Sequence, residues 1–262
     1  MYNGLLICND RGIYIFIETI NGIELVFETS ESSFSPQRVD RGTLAMLSVA
    51  EFSENDKVLD LGCGYGVVGI YAAKLIGGCA CGRACVRAGG SAGGSVDGRI
   101  DGFGRNVFMS DIDASCVEMS KNNAAANNVA EVHIILSDGF KNIQETDFTL
   151  ILSNPPYQVD FSVPKHFIEK GFNHLRIGGK MLMVTKRELW YKNKLTAIFG
   201  GVRITHIDGY HVFCAEKRRA RYANAKPFYQ CNPEHCSKKS AARATPTPNV
   251  GSALIRAINK NV

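Results

Sequence analysis

The pentapeptide Ser153-Asn154-Pro155-Pro156-Tyr157 carries the most specific chemistry in this 262-residue sequence. An exocyclic or amide NH2 group is a poor nucleophile because its lone pair is delocalised. Two acceptors, the Asn154 side-chain oxygen and the Pro155 backbone carbonyl, can hold its hydrogens. That steers the nitrogen towards sp3 and aims its lone pair at a methyl group. Pro155 and Pro156 fix φ and keep the carbonyl in place. Tyr157 offers a ring on which a planar base or amide stacks. A Pro-rich turn is the structural alternative. The motif, however, directly follows the apolar run FTLIL, and ligands on open α/β sheets bind at the carboxyl ends of strands.

A second constellation, Asp60 to Gly66 (DLGCGYG), should face the same crevice. Gly64, Gly66 and Gly69 satisfy G-x-G-x-x-G, whose glycines let a backbone approach a pyrophosphate. Asp60, Gly62, Gly64 and Gly66 equally satisfy D-x-G-x-G-x-G, which serves the cationic amino-acid end of S-adenosylmethionine. Asp60 decides between them: it can offset an ammonium or sulfonium charge or orient the loop, whereas beside a pyrophosphate it would repel. Asp111, with Ile112 beside it, ends the next strand, where an acid bonds ribose hydroxyls. Asp113 reads better as the cap of the following helix. Asp138 ends the third strand and has two readings, an acceptor for an adenine amino group or an Asx turn before Gly139.

Elements that could position these residues alternate along the chain. IYIFIET and IELVFET flank Asn21-Gly22, a strong hairpin signal. A helical run, GTLAMLSVAEF, follows. From Lys57 onward strands and helices take turns: KVLDL, VGIYAAKL, VFMSD, the Asp113 helix, VHIIL and FTLILS. A helix with Pro164 in its first turn is predicted to run to a Gly178-Gly179 stop. KMLMVT, the helix ELWYKNKLTAIF, and two strands around Asp208-Gly209 close the series. The pattern predicts a doubly wound α/β sheet, mostly parallel, with the last two strands antiparallel to each other.

Two segments break that rhythm. Residues 77–104 hold ten of the 26 glycines and read as a flexible Gly/Cys-rich insertion. The tail is basic: Lys217–Val262 carries +9, while the preceding residues carry −4 of the net +5. Such a tail points to nucleic acid or to a solvated end. The expected organisation is a hairpin extension (1–30), a catalytic domain (31–217) and a tail (218–262). No apolar run approaches the roughly 18 residues that span a bilayer. The opening MYNGLLICNDR lacks a basic, long-apolar leader, so a cytoplasmic protein is expected, its nine cysteines reduced.

Taken in order, DLGCGYG, Ser110-Asp111-Ile112, Ser137-Asp138-Gly139 and the Asn154 motif resemble class I S-adenosylmethionine-dependent methyltransferases. FSPQRVDRGTLAML and HIDGYHVFCAEK resemble the small methyltransferase domain family, which includes ribosomal RNA guanine-N2 methyltransferases. The resemblance covers about residues 20–217 without the insertion. It implies a seven-stranded class I fold with a reversed final hairpin, and methylation of an amino nitrogen. It also implies cofactor contacts by Asp60, Gly62, Gly64, Gly66, Asp111, Ile112 and Asp138, and an amine held by Asn154, Pro155, Pro156 and Tyr157. Ribosomal RNA or a ribosomal subunit is the expected partner. One departure leaves the substrate open. The guanine enzymes usually carry Phe after the prolines, whereas Tyr157 is common in adenine-N6 and protein-glutamine enzymes. Neither Cys79, Cys81 and Cys85 nor Cys231, His235 and Cys236 match zinc spacings, and no metal is expected. His166, His174, His206 and His211 show no ligand spacing. Arg38 and Asp40 lie in a segment that could fold over the cofactor or form a loop ion pair. Lys186, Arg187, Lys192 and Lys194 around Trp190 and Tyr191 would suit RNA, or a solvated helix face.

Overall fold

The computed structural model describes residues 12–76, 106–129, 131–156 and 160–222, with the backbone of Ile7–Cys8. The insertion read at 77–104, Tyr157 and the tail beyond Tyr222 lie outside the described residues. The described residues fall within one compact unit, Met1–Asn224.

The chain opens with a three-stranded antiparallel sheet, β1 (Ile7–Cys8), β2 (Ile13–Ile20) and β3 (Ile23–Ser30). Ile20 pairs with Ile23, so Asn21 and Gly22 alone make the turn, both with positive φ (48° and 84°). That is the geometry Asn-Gly favours between strands. Helix α1 (Arg41–Val49) follows. The main sheet then builds outward from β4 (Val58–Leu61) through α2 (Val67–Ile76), β5 (Val107–Asp111), α3 (Ala114–Ala126) and β6 (His133–Leu136). The chain returns to the other side of β4 with β7 (Phe148–Ser153), α4 (Ser162–His174), β8 (Leu175–Thr185), α5 (Glu188–Phe199), β9 (Arg203–Ile207) and β10 (Tyr210–Glu216).

The strand order is β6-β5-β4-β7-β8-β10-β9, with β10 antiparallel to both neighbours. The order reverses between β4 and β7, which puts the Asp60 loop and the Asn154 motif side by side at the carboxyl edge. Side chains alternate across the sheet. Val58, Leu150 and Leu152 pack beneath α1, α2 and the N-terminal hairpin. Leu59, Leu61 and Ile151 pack against α4 and α5. Phe148, Phe172, Phe199 and Phe213 are fully buried on that second face, each contributing roughly 1.5–3 kcal/mol.

One element departs from expectation. The helix begun before Pro164 stops at His174, and Leu175 already belongs to β8. Gly178-Gly179 is therefore not a helix stop but part of a bulge. Phe148 pairs with Leu175 and Leu150 with Lys180, so the intervening residues of β8 loop out. Gly178 N–H donates to Lys217 O, and Lys217 N–H donates to Gly179 O. A Cβ on Gly179 would lie 2.7 Å from Phe148 O, which only glycine avoids. Buried Leu175 offsets the early end of the helix. The chain also stays packed past 217: Tyr222 sets its ring against Phe172 and donates its hydroxyl to Glu169 O.

Candidate active site

The Asp60 loop is built from inside out. Gly69 is the third residue of α2, so its N–H has no partner within the helix. Asp60 Oδ2 accepts it at 2.9 Å and acts as a cap from the neighbouring strand. Asp60 is 2% exposed, and its pKa is pushed up to about 7. Burial is the main cause, with repulsion from Asp111 adding and the Gly69 hydrogen bond opposing. Gly62 and Gly64 have φ of 77° and 56°, and a Cβ on Gly64 would meet nothing within 4 Å. Gly64 thus borders open space, while a Cβ on Gly62 would be in van der Waals contact with the Phe167 ring, at 3.8 Å. Gly66 and Gly69 instead sit over Met109, where Cβ atoms would fall 2.8 and 2.4 Å from its side chain. They serve helix–strand packing, and neither lines the cavity described below.

Asp111 holds the same loop from β5. Its Oδ2 accepts from Gly64 N at 2.9 Å and its Oδ1 from Asp113 N at 3.0 Å. Each oxygen keeps a second lone pair for a ligand hydroxyl. Asp113 caps α3 through Ser115 N, as its position in sequence predicts. Ile112 is 69% exposed, an apolar side chain held out at the strand end. Asp138 is exposed, and no hydrogen bond to its carboxylate occurs among the described residues. The turn that was one of its two readings is closed by Ser137, whose Oγ donates to Gly139 O.

On the adjoining strand, Ser153 Oγ donates to Leu61 O at 2.7 Å and locks the two motifs in register. Asn154 Nδ2 donates to Asp40 Oδ2 and to Thr43 Oγ1, both at 3.0 Å. A carboxylate can only accept, so this pair fixes which end of the amide is oxygen. Asp40 is also the N-cap of α1 and accepts from Thr43 N at 3.1 Å. Sequence reasoning placed Asp40 in a segment folding over the cofactor or in a loop ion pair; Asp40 does line the cavity, but both of these hydrogen-bonding roles were missed. The available signal was an acid just ahead of a helical run. Tyr65 ties this segment to the glycine loop, its buried hydroxyl donating to Arg38 O at 3.3 Å. Pro156 lines the cavity with Asn154, while Pro155 is buried and is not among the lining residues. Tyr157 lies outside the described residues.

These groups enclose a cavity of about 410 Å³. Asp60, Gly62, Gly64, Asp111, Ile112, Asp138 and Asn154 all line it, with Phe34, Val163 and Phe167 as apolar walls that the motifs did not reveal. Ser110 Oγ, 1% exposed, also lines it and has no hydrogen-bond partner among the described residues. Cys63 and Cys116 are weak nucleophiles here. Burial raises both thiols, Cys116 to about 11. The basic and aromatic residues after β8 divide. Trp190 stacks on Phe161 at 4.4 Å and Arg187 lies over that ring at 5.1 Å, whereas Tyr191 is buried against Phe213 and Lys194 pairs with Glu169.

Comparison with known proteins places this arrangement. The sequence pattern of the family described as "Methyltransferase small domain" matches residues 24–80 and 101–214. The "Uncharacterized protein YbxB" of Bacillus subtilis is 27% identical over 74% of this chain and 87% of its own length. A protein of Serratia proteamaculans named "Ribosomal RNA small subunit methyltransferase C" is 28% identical over 75% of this chain. The chain spans about half the length of that relative (50%). Among solved structures, the T. thermophilus 16S rRNA N2 methyltransferase RsmC, in complex with AdoMet and guanosine, superposes with a TM-score of 0.64. It is 24% identical, and the match covers 79% of this chain and 51% of that one. The last likeness establishes the seven-stranded fold. Among the described residues no helix is long and apolar enough to cross a membrane.

Proposed function

The chain belongs to the methyltransferase small domain family, and we propose that it is an S-adenosylmethionine-dependent N-methyltransferase acting on guanine N2 of ribosomal RNA in the cytoplasm. One observation carries the reading. The amide of Asn154 is held by Asp40 and Thr43 in the same cavity as the glycine loop and the Asp111 carboxylate. The cavity suits the cofactor on three counts. Gly62 and Gly64 leave backbone open to it, Ile112 and Phe167 offer apolar walls for a base, and the buried Ser110 hydroxyl has a lone pair and a proton to give. When bound, the cofactor supplies a methyl group activated by a sulfonium charge.

The chain's own residues then have distinct tasks. Asp60, ionised, favours a cationic ligand while keeping the start of α2 in place. Asp111 accepts ribose hydroxyls, and Asp138 accepts the adenine amino group beside Ile112. Asn154 Oδ1 and the Pro155 carbonyl take the hydrogens of the substrate amine. As the amine pyramidalises these bonds strengthen, so they stabilise the transition state more than the ground state. Pro155 and Pro156 hold the acceptors stiff, and Tyr157 stacks the base. Catalysis by this set comes from positioning, without a covalent enzyme intermediate. The names of relatives support ribosomal RNA as substrate.

The test is transfer of tritiated methyl groups to isolated ribosomal subunits, bulk DNA and release-factor protein, followed by nucleoside and peptide analysis. Label in N2-methylguanosine of ribosomal RNA is the expected result. Label confined to N6-methyladenine or methylglutamine would transfer the same amine chemistry to the substrates that Tyr157 suggests. Absence of label in all three would reject the proposal.

A further inference from the structure

His206 on β9 and His211 on β10 are direct ladder partners across the Asp208–Gly209 turn. Their Nδ1 atoms lie 2.8 Å apart. Glu188, the first residue of α5, brings Oε2 to 3.7 Å from His211 Nδ1. One ligand atom from each of the three lies within 4.8 Å of the others. We propose that Glu188, His206 and His211 form a binding site for a divalent transition-metal ion of the zinc type, separate from the methyl-transfer cavity.

The chemistry of the donors supports this. Two imidazoles and one carboxylate are a borderline-soft set that suits zinc, cobalt or nickel rather than magnesium or calcium. Two Nδ1 atoms aimed at each other can share only one proton, whereas an ion uses both lone pairs. Metal–ligand bonds of 2.0–2.1 Å in a tetrahedron set ligand atoms about 3.4 Å apart. The observed 2.8 and 3.7 Å bracket that value and the third pair lies within 4.8 Å, so rotation of the rings and of the Glu188 side chain closes the set around an ion. His206 is exposed while His211 and Glu188 are half-buried, which leaves solvent access for a water ligand. None of the three lines the cavity around Asp60 and Asn154. The ion would clasp the start of α5 to the β9–β10 hairpin.

Chain spacing hid this group. His206 and His211 are five apart, which matches no helical ligand pair. A two-residue Asp-Gly turn, however, sets residues placed symmetrically about it opposite one another. The sequence HIDGYH thus places its two histidines face to face.

The experiment is titration of the full-length, chelator-treated protein with Co2+, reading visible d–d absorption, with Zn2+ competition and melting temperature in parallel. The wild type should develop d–d bands without a thiolate-to-cobalt charge-transfer band, which excludes the cysteines as ligands. Zn2+ should raise its melting temperature, since it binds only the folded hairpin. His206→Asn and Glu188→Gln should each weaken Co2+ binding by more than about tenfold, the scale that even outer-shell changes reach at metal sites. The double variant His206→Asn/His211→Asn should lose both the bands and the Zn2+ effect. His206 is exposed, so the single variant keeps the fold and decides the matter if the double variant does not. Absence of d–d bands, bands that persist undiminished in His206→Asn, or bands carrying a thiolate transition would overturn the site.

Discussion

Burial pushes the Asp60 carboxyl up to about 7, so its charge changes near neutral pH. A cationic ligand favours the ionised form. Affinity for S-adenosylmethionine should therefore rise with pH through about 7, and calorimetry at several pH values should show the rise flattened in Asp60→Asn. Asn can still accept from Gly69 N, so that variant keeps the loop. Stability runs the other way. Between the unfolded value of 3.8 and about 7, the folded state holds a proton that the unfolded chain releases. The ligand-free protein thus loses up to ~1.4 kcal/mol per pH unit as pH rises across this window. The advantage is complete below the unfolded value and gone above the folded one. Denaturant unfolding of wild type against Asp60→Asn isolates this contribution. Asp40 gives a second prediction. Asp40→Ala frees the Asn154 amide to rotate, so kcat should fall about tenfold or more with little change in cofactor affinity, and Asp40→Asn should restore part of it. At this scale the sequence revealed the acidic and glycine residues of the cavity, but neither its apolar walls nor the two groups that hold Asn154. Asp60, Asp111 and Asn154 belong to recognisable motifs. Asp40 and Thr43 act on a side chain more than a hundred residues away, which no local pattern encodes.

The elements read from periodicity are those observed, with β8 the exception, because a bulge stabilised by cross-strand bonds has no period. Gly179→Ala should push against Phe148 O and destabilise by about 1–3 kcal/mol, measured by chemical unfolding. Helix α3 hides another device. Asn123 and Asn127 lie one turn apart and face the free edge of β3. Asn123 bonds both Glu28 N and Glu28 O, and also Tyr65 O; Asn127 bonds both Val26 N and Val26 O. Two side chains thus complete an unpaired strand edge and anchor the hairpin to the glycine loop. The run KNNAAANN showed only a helix with poor formers. Of its four asparagines, Asn123 and Asn127 serve the strand, Asn123 at a cost in helix propensity and Asn127 from the C-cap position. Asn123→Ala leaves three backbone groups without their partner, and should lower stability by about 1–3 kcal/mol and weaken cofactor binding through Tyr65.

Across the whole molecule, the reversal of strand order beside β4 brings two motifs nearly a hundred residues apart to one edge. That consequence of topology was legible, because alternating strands and helices leave few ways to wind a sheet. Charge is distributed on the same scale. Residues 225–262 add six basic side chains and one acid to a body, residues 1–224, whose charges balance. If they neutralise RNA phosphates, ending the chain at Asn224 should weaken RNA binding and flatten its dependence on salt, by about 0.7–0.9 in logarithmic slope for each phosphate no longer neutralised. An unchanged slope would assign those charges no part in binding. The central claim is that the cavity binds cofactor with one set of residues and activates an amine with another. Asn154→Ala separates them. Turnover on ribosomal subunits with labelled S-adenosylmethionine should fall about 10²–10³-fold, while the cofactor dissociation constant stays within a factor of about two of wild type. Near-wild-type turnover in that variant would contradict the account.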